Sequence, residues 1–218
     1  MAECLPVRSN FLVLWMSFWL LLPLRASADT FVRDDIVTDP TWQRFSVCYD
    51  NGCRSLDYVS LTQQQWEQLR ALFFPLAETA AEERERIRAA IALMEQFVGK
   101  ATGTWQDNGG TFNFGRTGQM DCIDESINTS LYVTMFYKYG MLRHHRIHDR
   151  ATRGWFLFGW PHTTAVIREE ARNALWAVDS WFLDNGEPPF ILPLDTWKKG
   201  WKPKDCADCL PVAAEEAN

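Results

Sequence analysis

An α+β fold, with helices first and an antiparallel sheet after them, is predicted by three observations. Apolar residues recur at steps of three and four from about Thr62 to Tyr139. From Leu142 onward the period changes to two. The two regimes do not interleave, which separates α+β from a wound α/β sheet. The chain has 218 residues, of which 47% are hydrophobic and 23% charged, enough for one domain with a real core.

Residues 1–28 stand apart. Arg8 supplies a positive n-region, Phe11 to Leu24 is apolar except for Ser17, and Ala26-Ser27-Ala28 makes a small-x-small cleavage site. This is the grammar of a secretory signal peptide, cleaved after Ala28, and it predicts a periplasmic or secreted protein. The apolar run is 14 residues, shorter than the roughly 20 that span a bilayer, and no second long apolar run follows. A soluble mature protein without stable membrane insertion is therefore expected. Cleavage removes Arg8, Arg25 and Glu3 and moves the formal charge from −6 to −7, which argues against nucleic acid or anionic membrane as a partner.

Export also changes how cysteines are read, because oxidising compartments favour disulfides. Cys4 leaves with the signal. Cys48/Cys53 and Cys206/Cys209 are two close pairs, and Cys122 is the odd one left over. An unpaired cysteine in a secreted protein points to a free reactive thiol. The pairs can form two local disulfides, two cross-links between the N- and C-terminal regions, or a four-cysteine zinc site; the compartment ranks disulfides above zinc.

The mature domain is expected over 29–210, with an N-terminal part at 29–98 and a catalytic core at 99–210. In the first part, Phe45 to Tyr49 and Leu56 to Val59 flank Asp50-Asn51-Gly52, the pattern of a small hairpin. Ser60 or Thr62 can cap a helix that runs to Phe74 and is ended by Pro75. A second helix is predicted from about Thr79 to Val98. Ile87, Ile91, Met94 and Val98 form its buried stripe, and the other face, from Glu82 to Arg88, is read as solvated. Gly99 to Gly118 is a polar, glycine-rich loop interrupted by Trp105, Phe112 and Phe114. It reads as a surface loop with aromatic anchors or as a rim over a cleft.

A third helix, from about Cys122 to Tyr139, carries Ile123, Ile127, Leu131 and Met135 at steps of four, with Val133 and Phe136 widening the stripe. So wide an apolar arc predicts a central helix packed on the sheet, and Gly140 supplies its stop. Strands are predicted at His144–His148, Gly154–Phe158, Thr163–Ile167 and Leu175–Phe182, with a last extended stretch from Pro188 to Leu194. Residues 211–218 lack periodicity and are expected to be disordered.

The chemistry concentrates where the glycine-rich loop meets the third helix. Cys122 falls at the first turn, where unpaired N–H groups and the helix dipole lower a thiol's pKa. Nucleophilic use of a thiolate needs a histidine and a third polar group to orient it. His144, His145 and His148 sit among basic residues and read as a solvated patch. His162 instead follows Trp160-Pro161 and opens an apolar strand. Asp179 interrupts the apolar run from Trp176 to Phe182, where an unpaired carboxylate would be costly to bury. A near-symmetric hairpin sets His162 opposite Asp179, roughly 5 Å apart at Cβ. The Cys122 backbone N–H is the default oxyanion donor and Gln119 a possible side-chain donor. Trp160 can cover His162, whereas Trp155, Trp176, Trp181, Trp197 and Trp201 read as core.

Three stretches together, Asp121-Cys122-Ile123-Asp124 at a helix start, His162 with Thr163 to Ile167, and Ala177-Val178-Asp179 on the next strand, make residues 100–200 similar to the bacterial transglutaminase-like cysteine peptidases of the papain/transglutaminase-like fold group. The resemblance implies Cys122 as nucleophile, His162 as general base and then acid, and Asp179 as orienter. No cofactor is then required for the chemistry. Some members of that group are calcium-dependent, with Asp121 and Asp124 standing where their ligands stand. Met120 occupies the place of the usual glycine, and a basic stretch lies between Cys122 and His162, so substrate preference does not carry over.

The expected function is an exported thiol hydrolase, a cysteine peptidase acting through an acyl-enzyme on a protein or peptide of the cell envelope. The rival is a non-catalytic protein- or peptide-binding module on the same fold, with Cys122 structural. A weaker rival is a zinc module built on the two outer cysteine pairs.

Overall fold

The computed structural model describes residues 33–111, 116–154 and 161–204. The signal-like segment, the strand expected at 154–158 beyond Gly154, Trp160, Phe112, Phe114, Cys206, Cys209 and the tail lie outside the described residues. The architecture is mixed α+β: a two-stranded hairpin, three long or medium helices, then a four-stranded antiparallel sheet in the order β3-β4-β5-β6.

Strands β1 (Phe45–Tyr49) and β2 (Ser55–Val59) form the expected hairpin. Cys48 and Cys53 are disulfide-bonded across its tip, which removes both the four-cysteine zinc site and the long cross-links. Asp50, Asn51, Gly52 and Cys53 all take left-handed φ, at 68°, 66°, 71° and 55°. Helix α1 (Gln63–Phe73) starts at Thr62 in a capping box with Gln65 and ends before a cis Phe74–Pro75 bond. Helix α2 (Ala80–Thr102) runs one turn beyond the expected end, to a left-handed Gly103.

Part of the α2 face read as solvated is not. Glu83 is fully buried, and its carboxylate accepts from the N–H groups of Arg143, His144 and His145 and from His145 Nδ1 at 2.9 Å. His145 is thus a buried partner of Glu83 rather than part of a solvated patch. Arg84 bridges His145 to Glu169 and lies over the Trp176 ring. A buried carboxylate is stable only with such a set of donors, and the three N–H groups belong to a segment sixty residues away, which helical periodicity cannot reveal.

Helix α3 (Cys122–Lys138) packs its apolar stripe of Tyr132, Val133, Met135 and Phe136 into the main core with α1, α2 and the sheet residues Ala165, Ile167 and Val178. Asn128 on its other side pairs with both backbone groups of Cys48, donating to the carbonyl at 2.9 Å and accepting from the N–H at 2.8 Å. The amide imitates a neighbouring strand and fixes the hairpin onto the helix.

Strands β3 (His145–Arg153), β4 (His162–Glu169), β5 (Ala174–Asp179) and β6 (Phe190–Pro193) follow. In the β4/β5 register Ala165 faces Val178 and Ile167 faces Trp176, two residues displaced from the expected one. A slip of two keeps side chains on their faces. β5 stops at Asp179 rather than continuing to Phe182. A short helix, α4 (Leu194–Lys198), closes the far side of the sheet where only extended chain was expected, burying Leu194 and Trp197 against Val166 and Ala177.

Candidate active site

Asp121 caps α3. Its Oδ1 accepts from Ile123 N and Asp124 N, while Asp124 Oδ2 accepts from Asp121 N. This box sets Cys122 at the first helical position, and the Cys122 N–H finds no acceptor among the described residues. The approach to the helix is fixed on both sides: Asp50 N donates to Gln119 O and Asp107 Oδ1 accepts from Met120 N. Gly109 explains much of the loop's glycine content. A Cβ there would meet the Leu183 backbone at 2.3 Å, and Gly110 N donates to Trp181 O. The glycines let two backbones dock beside the site.

His162 and Asp179 meet. Nε2 of the imidazole lies 2.7 Å from Asp179 Oδ2, with both side chains buried. They are diagonal neighbours on one sheet face, a geometry that still brings side chains within reach. With Nε2 engaged by a carboxylate, the proton belongs on that nitrogen and Nδ1 is left as the acceptor. Nδ1 has no hydrogen bond among the described residues. The ring is enclosed by Trp181, Phe182 and Trp197, at centroid distances of 4.9, 5.2 and 5.4 Å.

Trp197 is core, as expected, fully buried against Val166 and Ala177, and it also reaches the His162–Asp179 pair. Its indole Nε1–H donates to the same Asp179 oxygen at 2.6 Å. No pattern signal marks it, because α4 has five residues and no side-chain cap.

Cys122 lies against the backbone that flanks His162. Its Sγ is 4.0 Å from the Pro161 carbonyl, and its side chain packs on Trp181. The thiol is 5% exposed. Burial pushes it up to about 12; the Thr163 N–H works the other way, and the charges of Asp121, Asp179 and Asp124 add to the rise. The lowering expected from the helix start is therefore outweighed, because desolvation of an anion exceeds the effect of one helix terminus.

Gln119 is buried with its amide turned to the neighbouring loop: Nε2 donates to Gln106 O and Oε1 accepts from Asn108 N. Asp121 and Asp124 do not fit a calcium site. Both Asp124 oxygens accept backbone N–H groups, from Cys53, Asn51 and Asp121, and Asp121 Oδ1 accepts two more. That leaves Asp121 Oδ2, against the six to eight oxygens calcium takes. Among the described residues no group of three or more His, Cys, Asp or Glu is placed to hold a metal. The Asn51 and Cys53 N–H groups of the left-handed hairpin tip form a concave donor set around the Asp124 carboxyl group. Burial nevertheless pushes that group up to about 8, with the Asp121 charge adding and these N–H groups working the other way.

Behind Cys122 lies a set of buried acids. Burial pushes Glu95 up to about 8 and Asp107 up to about 7. It carries Glu125 well above the usual range, with the charges of Glu95 and Asp107 adding. No described helix is long and apolar enough to cross a membrane. Comparisons with protein-family models, curated proteins and solved structures find no match.

Proposed function

We propose that the protein is an exported thiol hydrolase, a cysteine peptidase of transglutaminase-like type working on protein or peptide in the cell envelope. The observation that carries this reading is the buried His162–Asp179 pair, with its second ring nitrogen free of hydrogen bonds among the described residues, close to a lone cysteine at a capped helix start. An imidazole held by a carboxylate at one nitrogen and empty at the other is arranged to accept a proton.

The chemistry follows from the electrostatics. With its thiol near 12, an isolated Cys122 would be ionised in roughly one molecule in 10⁵ at pH 7. Nucleophilic attack in this reading proceeds with proton transfer to His162, whose imidazolium is stabilised by Asp179. Sγ adds to the acyl carbon, and the carbonyl oxygen takes the negative charge at the Cys122 N–H, since the Gln119 amide is already engaged by Gln106 and Asn108. The tetrahedral adduct collapses as His162 returns the proton to the leaving amine. Water, deprotonated by the same imidazole, then attacks the thioester, and the thiol is regenerated.

One observation favours the rival. A buried thiol against a carbonyl oxygen is also what a structural cysteine looks like, as in a binding module. Alkylation kinetics decide. Iodoacetamide should modify Cys122 faster than a free thiol below pH 8, and His162→Ala should slow it by about 10²-fold or more. Slow labelling that does not depend on His162 would establish the binding module instead.

A further inference from the structure

We propose that Arg153 and Trp197 are positioning residues for the His162–Asp179 pair, acting through α4; the inference rests on the use of that pair proposed above. Arg153 ends β3 as the register partner of His162. It is 5% exposed, yet among the described residues Nε and Nη2 have no hydrogen-bond partner. Nη1 donates to the Trp197 carbonyl, and the guanidinium carbon sits 4.2 Å over the Trp197 ring. The same tryptophan gives its indole N–H to Asp179 Oδ2. A chain of contacts thus runs from Arg153 to Trp197 to Asp179 to His162 across three strands and a helix.

A purely structural core would not place a cation here. Burying a charge costs several kcal/mol unless an opposite charge offsets it, and among the described residues only Nη1 of the three guanidinium nitrogens is hydrogen-bonded. What offsets it is the negative charge of Asp179 and, when ionised, of Cys122: burial lowers the Arg153 pKa and these two groups raise it. The charge count has a consequence. With Arg153 cationic and Asp179 anionic, the site is neutral both before and after the thiol proton moves to the imidazole. Without Arg153 the ion-pair state would carry a net negative charge in a dry environment.

The two donors on one oxygen have separate effects. His162 Nε2–H and Trp197 Nε1–H both bind Asp179 Oδ2, which fixes the carboxylate and holds the imidazole with Nδ1 as acceptor. Each donor also takes part of the carboxylate's charge. Removing the indole N–H leaves more of it for the imidazolium, and removing the guanidinium removes a repelling cation. Both changes should make His162 easier to protonate. The charged groups facing the imidazole are Cys122 on α3, with Asp121 and Asp124 beside it, Arg153 on β3 and Asp179 on β5. α4 brings Trp197 inward while its Asp195 and Lys198 are exposed.

The test is the NMR titration of the His162 ring in the full chain. It is run in the Cys122→Ala background, so that it does not depend on whether the thiol is reactive. Trp197→Phe keeps an aromatic ring and deletes the donor. Arg153→Gln deletes the charge, and Arg153→Lys keeps it. The titration midpoint should rise by about half a unit or more in the first two variants and return toward the parent in Arg153→Lys. Unchanged midpoints in Trp197→Phe and Arg153→Gln, with only a lower Tm, would overturn the proposal and leave both residues structural. Should Arg153→Gln fail to fold, Trp197→Phe alone decides by the same criterion. A shifted midpoint together with an unreactive Cys122 would keep this inference and refute the peptidase reading.

Discussion

Cys122 is buried at the end of a helix dipole that favours its anion, and burial wins by several pH units. In the proposed function its reactivity is borrowed from His162 rather than intrinsic. Asp179→Asn tests this at the residue scale. An amide oxygen can still accept the Trp197 and His162 N–H groups that share Asp179 Oδ2, but it carries no negative charge to stabilise the imidazolium formed when the thiol proton is taken. Cys122 alkylation should fall by about 10²-fold or more while Tm moves little. Asp124 is a second residue whose role the geometry defines. It seats three backbone N–H groups, two of them from the hairpin tip. Asp124→Ala would leave these donors buried and unpaired, so denaturant unfolding should show a loss of about 3 kcal/mol or more, whereas Asp124→Asn retains one acceptor oxygen and should lose less. Because the oxygens are committed to N–H groups, a chelator should leave Tm unchanged; a chelator-dependent fall in Tm would restore calcium.

The elements differ in how legible they are. α1, α2, α3 and the hairpin were readable because local signals set them: Thr62 caps, Pro75 stops, and the apolar stripes have a clear period. Asp179 stands out for the opposite reason, since it breaks an apolar run with a costly side chain, while Cys122 stands out as the odd cysteine at a helix start and His162 as the histidine that opens an apolar strand. α4 was not legible. Its five residues bury two side chains, too few for a period to appear, and its place is decided by Val166 and Ala177 on the sheet. The β4/β5 offset was likewise hidden, because the turn at Glu170–Asn173, with a left-handed Asn173, sets the register and alternation fixes only its parity. The hairpin tip carries an element-scale prediction. The Cys48–Cys53 bond closes a short loop whose N–H groups hold Asp124 and whose Cys48 backbone holds Asn128. Reduction, or the paired change Cys48→Ser and Cys53→Ser, should cost about 2 kcal/mol by loop entropy. It should also speed hydrogen exchange at the first turn of α3, since both anchors of that helix pass through the tip. Loss of stability with no change in α3 exchange would show the tip to be only a local clamp.

At the scale of the whole molecule, α2, α3 and the loops at 107–111 and 180–186 meet over carboxyl groups rather than over a purely apolar seam. Glu95 accepts from Gly186 N, Asp107 accepts from Met120 N, and Glu125 lies between them and Asp124 in the charge network. With Glu95 near 8 and Asp107 near 7, the folded protein keeps protons that the unfolded chain releases near pH 4. The folded-state pKa values are raised, so the stability they contribute is complete below about pH 4 and is lost as pH rises through 7 to 8. Glu83 pulls the other way on the acid side. Burial works to raise its pKa, but His145 and the N–H groups of Arg143, His144 and His145 together bring it below the ordinary value, so its contribution is lost on strong acidification. Maximum stability should therefore lie on the acid side of neutrality. One retained proton between pH 5 and 7.5 amounts to about 3 kcal/mol, which for a domain of this size is about 10 °C in Tm. Thermal scans across that range should show the fall, and Glu95→Gln should flatten it, because the amide keeps an acceptor for Gly186 N and carries no titrating proton. A Tm that rises from pH 5 to 8 would mean that these carboxylates are ionised in the folded state, with cations or water satisfying them. The seam behind Cys122 would then be a charged, hydrated cleft rather than a protonated one.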